Sequence, residues 1–141
     1  MEAAVARVLV VDDEESQIRM LVSALRHEGF DAFGIRDADA VMDLLQRDLP
    51  DLVLVDLMMP GLNGIELARK IRDAHPSVRV VLTSAYHLSE RQLSRADCGV
   101  VGFVPKPYVL PELAEFLRAK IKVSRVTLSP DAQSTPRLCA S

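Results

Sequence analysis

LVLVDLMMPGLNG (Leu52–Gly64) joins four consecutive apolar residues to an aspartate and then to a turn rich in glycine. An unbroken Val/Leu run without polar alternation describes a strand covered on both faces, the texture of a parallel sheet. Asp56 stands at the end of that strand, Leu52–Val55. Gly61 and Gly64 fit a tight turn leading into a helix. They do not make a phosphate-binding loop, because GLNG lacks the following Lys-Ser/Thr, and no third glycine completes a dinucleotide fingerprint.

Outward from this unit the same alternation repeats. Arg7–Val11 (RVLVV) and Val78–Leu82 (VRVVL) share the near-continuous apolar texture, and Asp31–Ile35 (DAFGI) and Val100–Val104 (VVGFV) bring the strands to five. Between them lie helical stripes. Ile18, Leu21, Val22 and Leu25 follow i, i+3, i+4, i+7 spacing, with Gly29 placed to stop the helix. Val41, Leu44 and Leu45 form a second stripe behind Asp37 as N-cap. Ile65, Ala68 and Ile71 form a third that ends before Pro76. Leu113, Leu117 and Ile121 form the last, with Pro111 tolerated in its first turn. Ser89–Ala96 offers only Leu93 and Ala96 within a polar segment, so a short, weakly anchored fourth helix is expected. Strand and helix alternating five times predict an α/β fold, a doubly wound five-stranded parallel sheet with five helices and right-handed crossovers.

The bulk properties fit one domain. The chain has 141 residues, 49% of them hydrophobic, and a formal net charge of −3, which gives no basic footprint for nucleic acid. No apolar run reaches membrane-spanning length. The opening MEAAVARVLVVDDEE meets acids where a signal peptide needs its cleavage region, so a cytoplasmic location is expected. Cys98 and Cys139 lack metal-site spacing and read as reduced, structural or incidental thiols. His27, His75 and His87 likewise lack ligand spacing and read as surface residues. After Val123 the texture turns to SRVTLSPDAQSTPRLCAS, which reads as a short flexible tail over 124–141 with no output domain.

In an open parallel sheet, functional groups collect beyond the carboxyl ends of the strands. Here those ends carry Asp12 and Asp13, Asp56, Thr83 and Ser84, and Lys106. Singly, each has a plain reading: a helix cap, a turn aspartate, a strand residue, a solvated lysine. At one edge together they describe a particular chemistry. Clustered carboxylates repel one another unless a hard cation neutralises them, and a few oxygen ligands suit Mg²⁺. An ammonium and a hydroxyl beside them can stabilise the oxygens of a transferring phosphoryl group. An aspartate can itself act as the nucleophile and form an acyl phosphate.

The blocks VVDDEE, DLMMPGLNG, LTSAY and GFVPKP, in this order and at these separations, resemble the four signature blocks of the bacterial response regulator receiver family, the chemotaxis-regulator-like modules. The resemblance runs from about Arg7 to Val123. It implies a flavodoxin-like sheet of order 2-1-3-4-5 and a receiver domain over residues 1–123. It implies that Asp56 is phosphorylated, that Asp12 and Asp13 hold Mg²⁺ with Asp13 the direct ligand, and that Asp56 and the Met58 main-chain carbonyl complete the protein's share of the metal shell. Thr83 becomes the hydroxyl that bonds the phosphoryl group and Lys106 the cation that pairs with it. Phe103, otherwise a packed core aromatic, becomes the switch partner of Thr83, and Lys106–Pro107 becomes a cis peptide.

The implied activity is that of a two-component phosphoacceptor with autocatalytic phosphotransfer and self-dephosphorylation, not of an enzyme acting on a separate substrate. The implied partners are a sensor histidine kinase or histidine phosphotransfer protein, and a downstream protein docking on the fourth helix, fifth strand and fifth helix. Neither membrane nor direct nucleic-acid binding is expected. Three other readings stay open: a phosphorylation-independent protein-binding receiver, a receiver fragment of a DNA-binding transcriptional regulator, and a dehalogenase-type phosphatase. The last needs a second acid two residues past its nucleophile, where Met58 stands. Tyr86, in the loop after Thr83, receives no role.

Overall fold

The computed structural model describes residues 5–59, 62–86 and 89–127. Five parallel strands form one sheet: β1 (Arg7–Val11), β2 (Asp31–Ile35), β3 (Leu52–Asp56), β6 (Arg79–Ser84) and β7 (Gly102–Pro105), in the spatial order β2-β1-β3-β6-β7. Two further strands of two residues each, β4 (Met58–Met59) and β5 (Leu62–Asn63), pair antiparallel in the loop that leaves β3. Counting the parallel strands alone, the order is the expected 2-1-3-4-5. The helices are α1 (Glu15–His27), α2 (Val41–Arg47), α3 (Gly64–Ala74), α4 (Glu90–Ala96) and α5 (Leu110–Thr127).

Strand alternation assigns the helices to faces. Val8, Val10, Leu52, Leu54 and Val81 point to one side and pack with Ile18, Leu21 and Leu25 of α1 and Leu113, Leu117 and Ile121 of α5. Leu9, Val11, Val53, Val55, Val80 and Leu82 point to the other, against Val41 and Leu45 of α2, Leu67, Ala68 and Ile71 of α3, and Cys98. Every residue of β3 is buried, so this strand has no polar face to offer solvent and its apolar run needs no alternation.

Local chemistry sets the helix ends. Gly29 adopts φ +99°, and α1 closes with Gly29 N–H donating to Arg26 O at 3.0 Å and Phe30 N–H donating to Leu25 O at 3.0 Å. That pair of bonds satisfies carbonyls the last turn leaves open, and a glycine adopts the left-handed conformation it requires without a Cβ penalty. Asp37 caps as expected, accepting from Asp39 N–H at 3.0 Å, but the turn it caps is a short 3₁₀ segment, Ala38–Ala40, that leads into α2. The α4 segment has a reciprocal cap: Ser89 N–H donates to Gln92 Oε1 at 2.8 Å and Gln92 N–H donates to Ser89 Oγ at 3.1 Å.

Three boundaries differ from the sequence expectation by two residues or more. The fourth parallel strand begins at Arg79 and runs through Thr83 to Ser84, because Thr83 and Ser84 still pair with Val104 and Pro105. The fifth begins at Gly102, after Gly99 at φ +73° has turned the chain. The last helix continues past Val123 to Thr127, so residues 124–127 belong to α5 and not to a tail. The rest of the expected tail, with Cys139, lies outside the described residues, as do Gly61 and His87. Cys98 is buried, His27 exposed and His75 partly so.

Candidate phosphoacceptor site

The carboxyl edge of the sheet brings the polar residues together. Asp12 directly follows β1 and is 2% exposed, Asp56 ends β3 at 6%, and Thr83 lies in β6 at 2%. Asp56 and Thr83 are register partners on neighbouring strands. Asp13 is more open. Carboxylate oxygens of Asp12, Asp13 and Asp56 all fall within 4.8 Å of one another.

Lys106 reaches this cluster from the loop after β7. Its Nζ donates to Asp12 Oδ2 at 3.1 Å and to Asp56 Oδ2 at 3.3 Å. Its backbone N–H donates to Ser84 O at 2.9 Å, and the Lys106–Pro107 bond is cis, as the resemblance implied. The other oxygens have backbone partners. Asp12 Oδ1 accepts from Glu14 N–H at 3.0 Å, and Asp56 Oδ1 accepts from Met58 N–H at 3.1 Å. Ser84, fully buried, accepts on its Oγ from Tyr86 N–H at 3.0 Å.

Burial pushes the Asp56 carboxyl above its ordinary range, and the charge of Asp12 adds to this, against the opposing pull of Met58 N–H and Lys106. Burial alone would pull the Lys106 ammonium down. The hydrogen bond and charge of Asp12, joined by Asp56, outweigh it and hold the lysine above its usual value. One ammonium shared between two of three carboxylates leaves excess negative charge. Closely spaced hard oxygen donors with excess negative charge fit a small divalent cation such as Mg²⁺.

Gly64 makes this geometry possible. A Cβ there would lie 2.8 Å from Leu57 Cα and 3.0 Å from Asp56 O. The start of α3 can therefore cross the end of β3 only with a glycine at that position. Asn63 caps the helix, its Oδ1 accepting from Ile65 N–H at 2.8 Å. Met58 occupies β4 with its side chain 58% exposed, and Phe103 lies on β7 opposite Leu82, packed on the core face of α2 and α3.

One residue escaped the sequence reading. Tyr108, two positions past Lys106, donates its phenolic O–H to Thr83 Oγ1 at 2.9 Å. Burial raises its pKa above the usual phenol value, the bond to Thr83 opposing. The only sequence signal was an aromatic after Lys-Pro, which by default reads as core. Tyr86 is 67% exposed.

A doubly wound parallel sheet with an acid cluster, a lysine and a hydroxyl at its carboxyl edge defines an acidic α/β signalling module. The chain belongs to the response regulator receiver family: the family model described as the response regulator receiver domain matches residues 8–118. A curated relative, the DNA-binding response regulator MtrA of Mycolicibacterium smegmatis, is 37% identical over 122 residues, covering 86% of this chain and 53% of its own. Among solved structures, a CheY-like receiver protein from Methanospirillum hungatei superposes with a TM-score of 0.79 at 21% identity, covering 86% of this chain and 98% of the other. A response regulator from Thermotoga maritima superposes at 0.75 with 28% identity, covering 84% and 99%. The chain spans about half the length of the curated relatives it matches. Among the described residues, no helix is long and apolar enough to cross a membrane.

Proposed function

We propose that this receiver accepts a phosphoryl group on Asp56 from a phosphohistidine of a sensor kinase or phosphotransfer protein. The observation that carries the reading is Lys106, whose single Nζ bridges Asp12 and Asp56 at the edge where all three acids meet. An Asp56 carboxylate oxygen attacks phosphorus, the phosphorus–nitrogen bond of the donor breaks, and the imidazole nitrogen keeps the electron pair and takes a proton. The product is an acyl phosphate. Asp12, Asp13, Asp56 and the Met58 carbonyl would hold Mg²⁺, which supplies charge neutralisation for the phosphoryl oxygens. Lys106 pairs with those oxygens, and Thr83, one strand away, donates its hydroxyl to one of them.

The new group carries about −1.5 to −2 charge where a single carboxylate charge stood. Such a change biases an existing equilibrium between two surfaces. The face formed by α4, β7 and α5, entered from Lys106 and Phe103, is where a downstream protein would read it. Incubation with acetyl phosphate and Mg²⁺ should add one phosphoryl group at Asp56, mapped by mass spectrometry after borohydride trapping. Asp56→Asn should take none. A label at another residue, or on neither protein, refutes the assignment.

A second reading is favoured by the relatives. In curated matches named DNA-binding response regulators, the part similar to this chain is about half of the protein, so the second reading is that this receiver controls a DNA-binding unit. An immunoblot of native cells with an antibody to the receiver separates the two. A polypeptide as long as those relatives supports control of an attached unit, and one of the present length supports output through protein contact.

A further inference from the structure

The Thr83 hydroxyl is already engaged. Its hydrogen bond comes from Tyr108 at 2.9 Å, although Asp56 is its register partner across the sheet. The Asp56 oxygens take their bonds instead from Met58 N–H and Lys106 Nζ. Thr83 is 2% exposed, which leaves little room for a solvent partner in exchange. A threonine Oγ moves between discrete staggered positions about χ1, so turning to a new acceptor at Asp56 means leaving the phenol. Phe103, the aromatic to which family resemblance gives the switch role, has no hydroxyl to make this bond. The Tyr108 ring packs against the core shared with α1 and α5, whereas Phe103 packs against the core on the other face of the sheet.

We propose that Tyr108 is a latch on Thr83: its phenol holds the threonine hydroxyl away from Asp56 in the unphosphorylated protein, and phosphorylation must break that hydrogen bond. The latch rests on the phosphoacceptor reading, because only a phosphoryl group on Asp56 gives the Thr83 O–H an acceptor to turn toward, away from the phenol that donates to its oxygen. It couples the site to the loop entering α5 through a residue other than Phe103. Releasing Thr83 leaves the phenol to find a new partner, so the ring and the loop carrying it are expected to shift with phosphorylation.

The test is the Mg²⁺-dependent affinity for beryllofluoride, a phosphoryl mimic, followed by fluorine NMR. Tyr108→Phe keeps the ring and removes the bond, and should bind about 2- to 10-fold more tightly, the span one neutral hydrogen bond provides. In a Thr83→Ala background, Tyr108→Phe should have no effect. Equal or weaker binding by Tyr108→Phe overturns the latch, as does an equal gain in the Thr83→Ala background. The unmutated protein gives an independent check. The Cζ resonance of ¹³C-labelled Tyr108 should move on loading as the bond is lost, and an unmoved resonance in a protein that binds overturns the latch. A wild-type protein that binds no beryllofluoride overturns the phosphoacceptor reading and the latch with it, whereas binding abolished by Asp56→Asn keeps the former while the latter is judged on its own.

Discussion

At Asp56, function and stability pull in opposite directions. Burial raises its carboxyl pKa, so the folded protein holds that proton more tightly than the unfolded chain does. Without metal, the site is then least costly below the ordinary carboxyl range, and stability falls as pH rises until the raised folded pKa is passed. At neutral pH the charged carboxylate is a net burden. Asp56→Asn should therefore melt a few degrees higher than wild type in EDTA at pH 7, with the gap narrowing toward pH 4. A lower melting temperature at pH 7 would show that attraction to Lys106 exceeds the burial cost. Met58 and Ala85, both exposed beside the site, have no side-chain group to orient a hydrolytic water. A Met58→Asn, Ala85→Glu double variant should shorten the half-life of the phosphorylated protein several-fold, measured by loss of the acyl phosphate in Mg²⁺ buffer. Asp12, Asp13, Asp56, Thr83 and Lys106 were legible because each falls where an apolar run ends. Tyr108 was not, since its partner lies on a different strand, 25 positions away in sequence, and nothing in Lys-Pro-Tyr announces that contact.

The elements differ in how firmly their own sequence defines them. The apolar runs of β1, β2 and β3 announce themselves, whereas the edges of β6 and β7 depend on which neighbour supplies hydrogen bonds, a tertiary property. Helix α4 has few apolar residues, and its support comes partly from α3: Arg72 Nη1 donates to Asp97 O at 2.9 Å, and Arg69 donates to Ala96 O. These bonds hold carbonyls at the end of α4 that its seven residues cannot satisfy internally. No periodicity search finds such a clamp. The approach of α3 to β3 is more demanding. Gly64→Ala would force a methyl against the backbone of Asp56 and Leu57, and overpacking of this kind typically costs about 1–3 kcal/mol. Urea denaturation should show that loss. Labelling by acetyl phosphate should slow as well, because the carbonyl displaced belongs to the acceptor residue itself.

Across the whole molecule, one sheet separates two cores, and the chain alternates between them from one strand residue to the next. Leu54, 1% exposed on the face shared by α1 and α5, contacts elements far apart in sequence. Leu54→Ala should lower stability by about 2–5 kcal/mol while unfolding remains a single transition by circular dichroism and by tyrosine fluorescence. Two separated transitions would mean that the faces fold independently. The class of fold was legible because both faces leave their mark on the same short runs. The pairing of Arg118 Nη2 with Glu28 Oε1 at 2.9 Å, which ties α5 to the end of α1, was not legible, since charges at the rim of the core carry no positional pattern.

Lys106 gives the acid pocket a positive charge of its own. Because that charge arrives with the fifth strand of the sheet, from the chain itself, assembly of the domain need not wait for magnesium. With divalent ions removed by EDTA, the domain is expected to keep its far-ultraviolet circular dichroism spectrum.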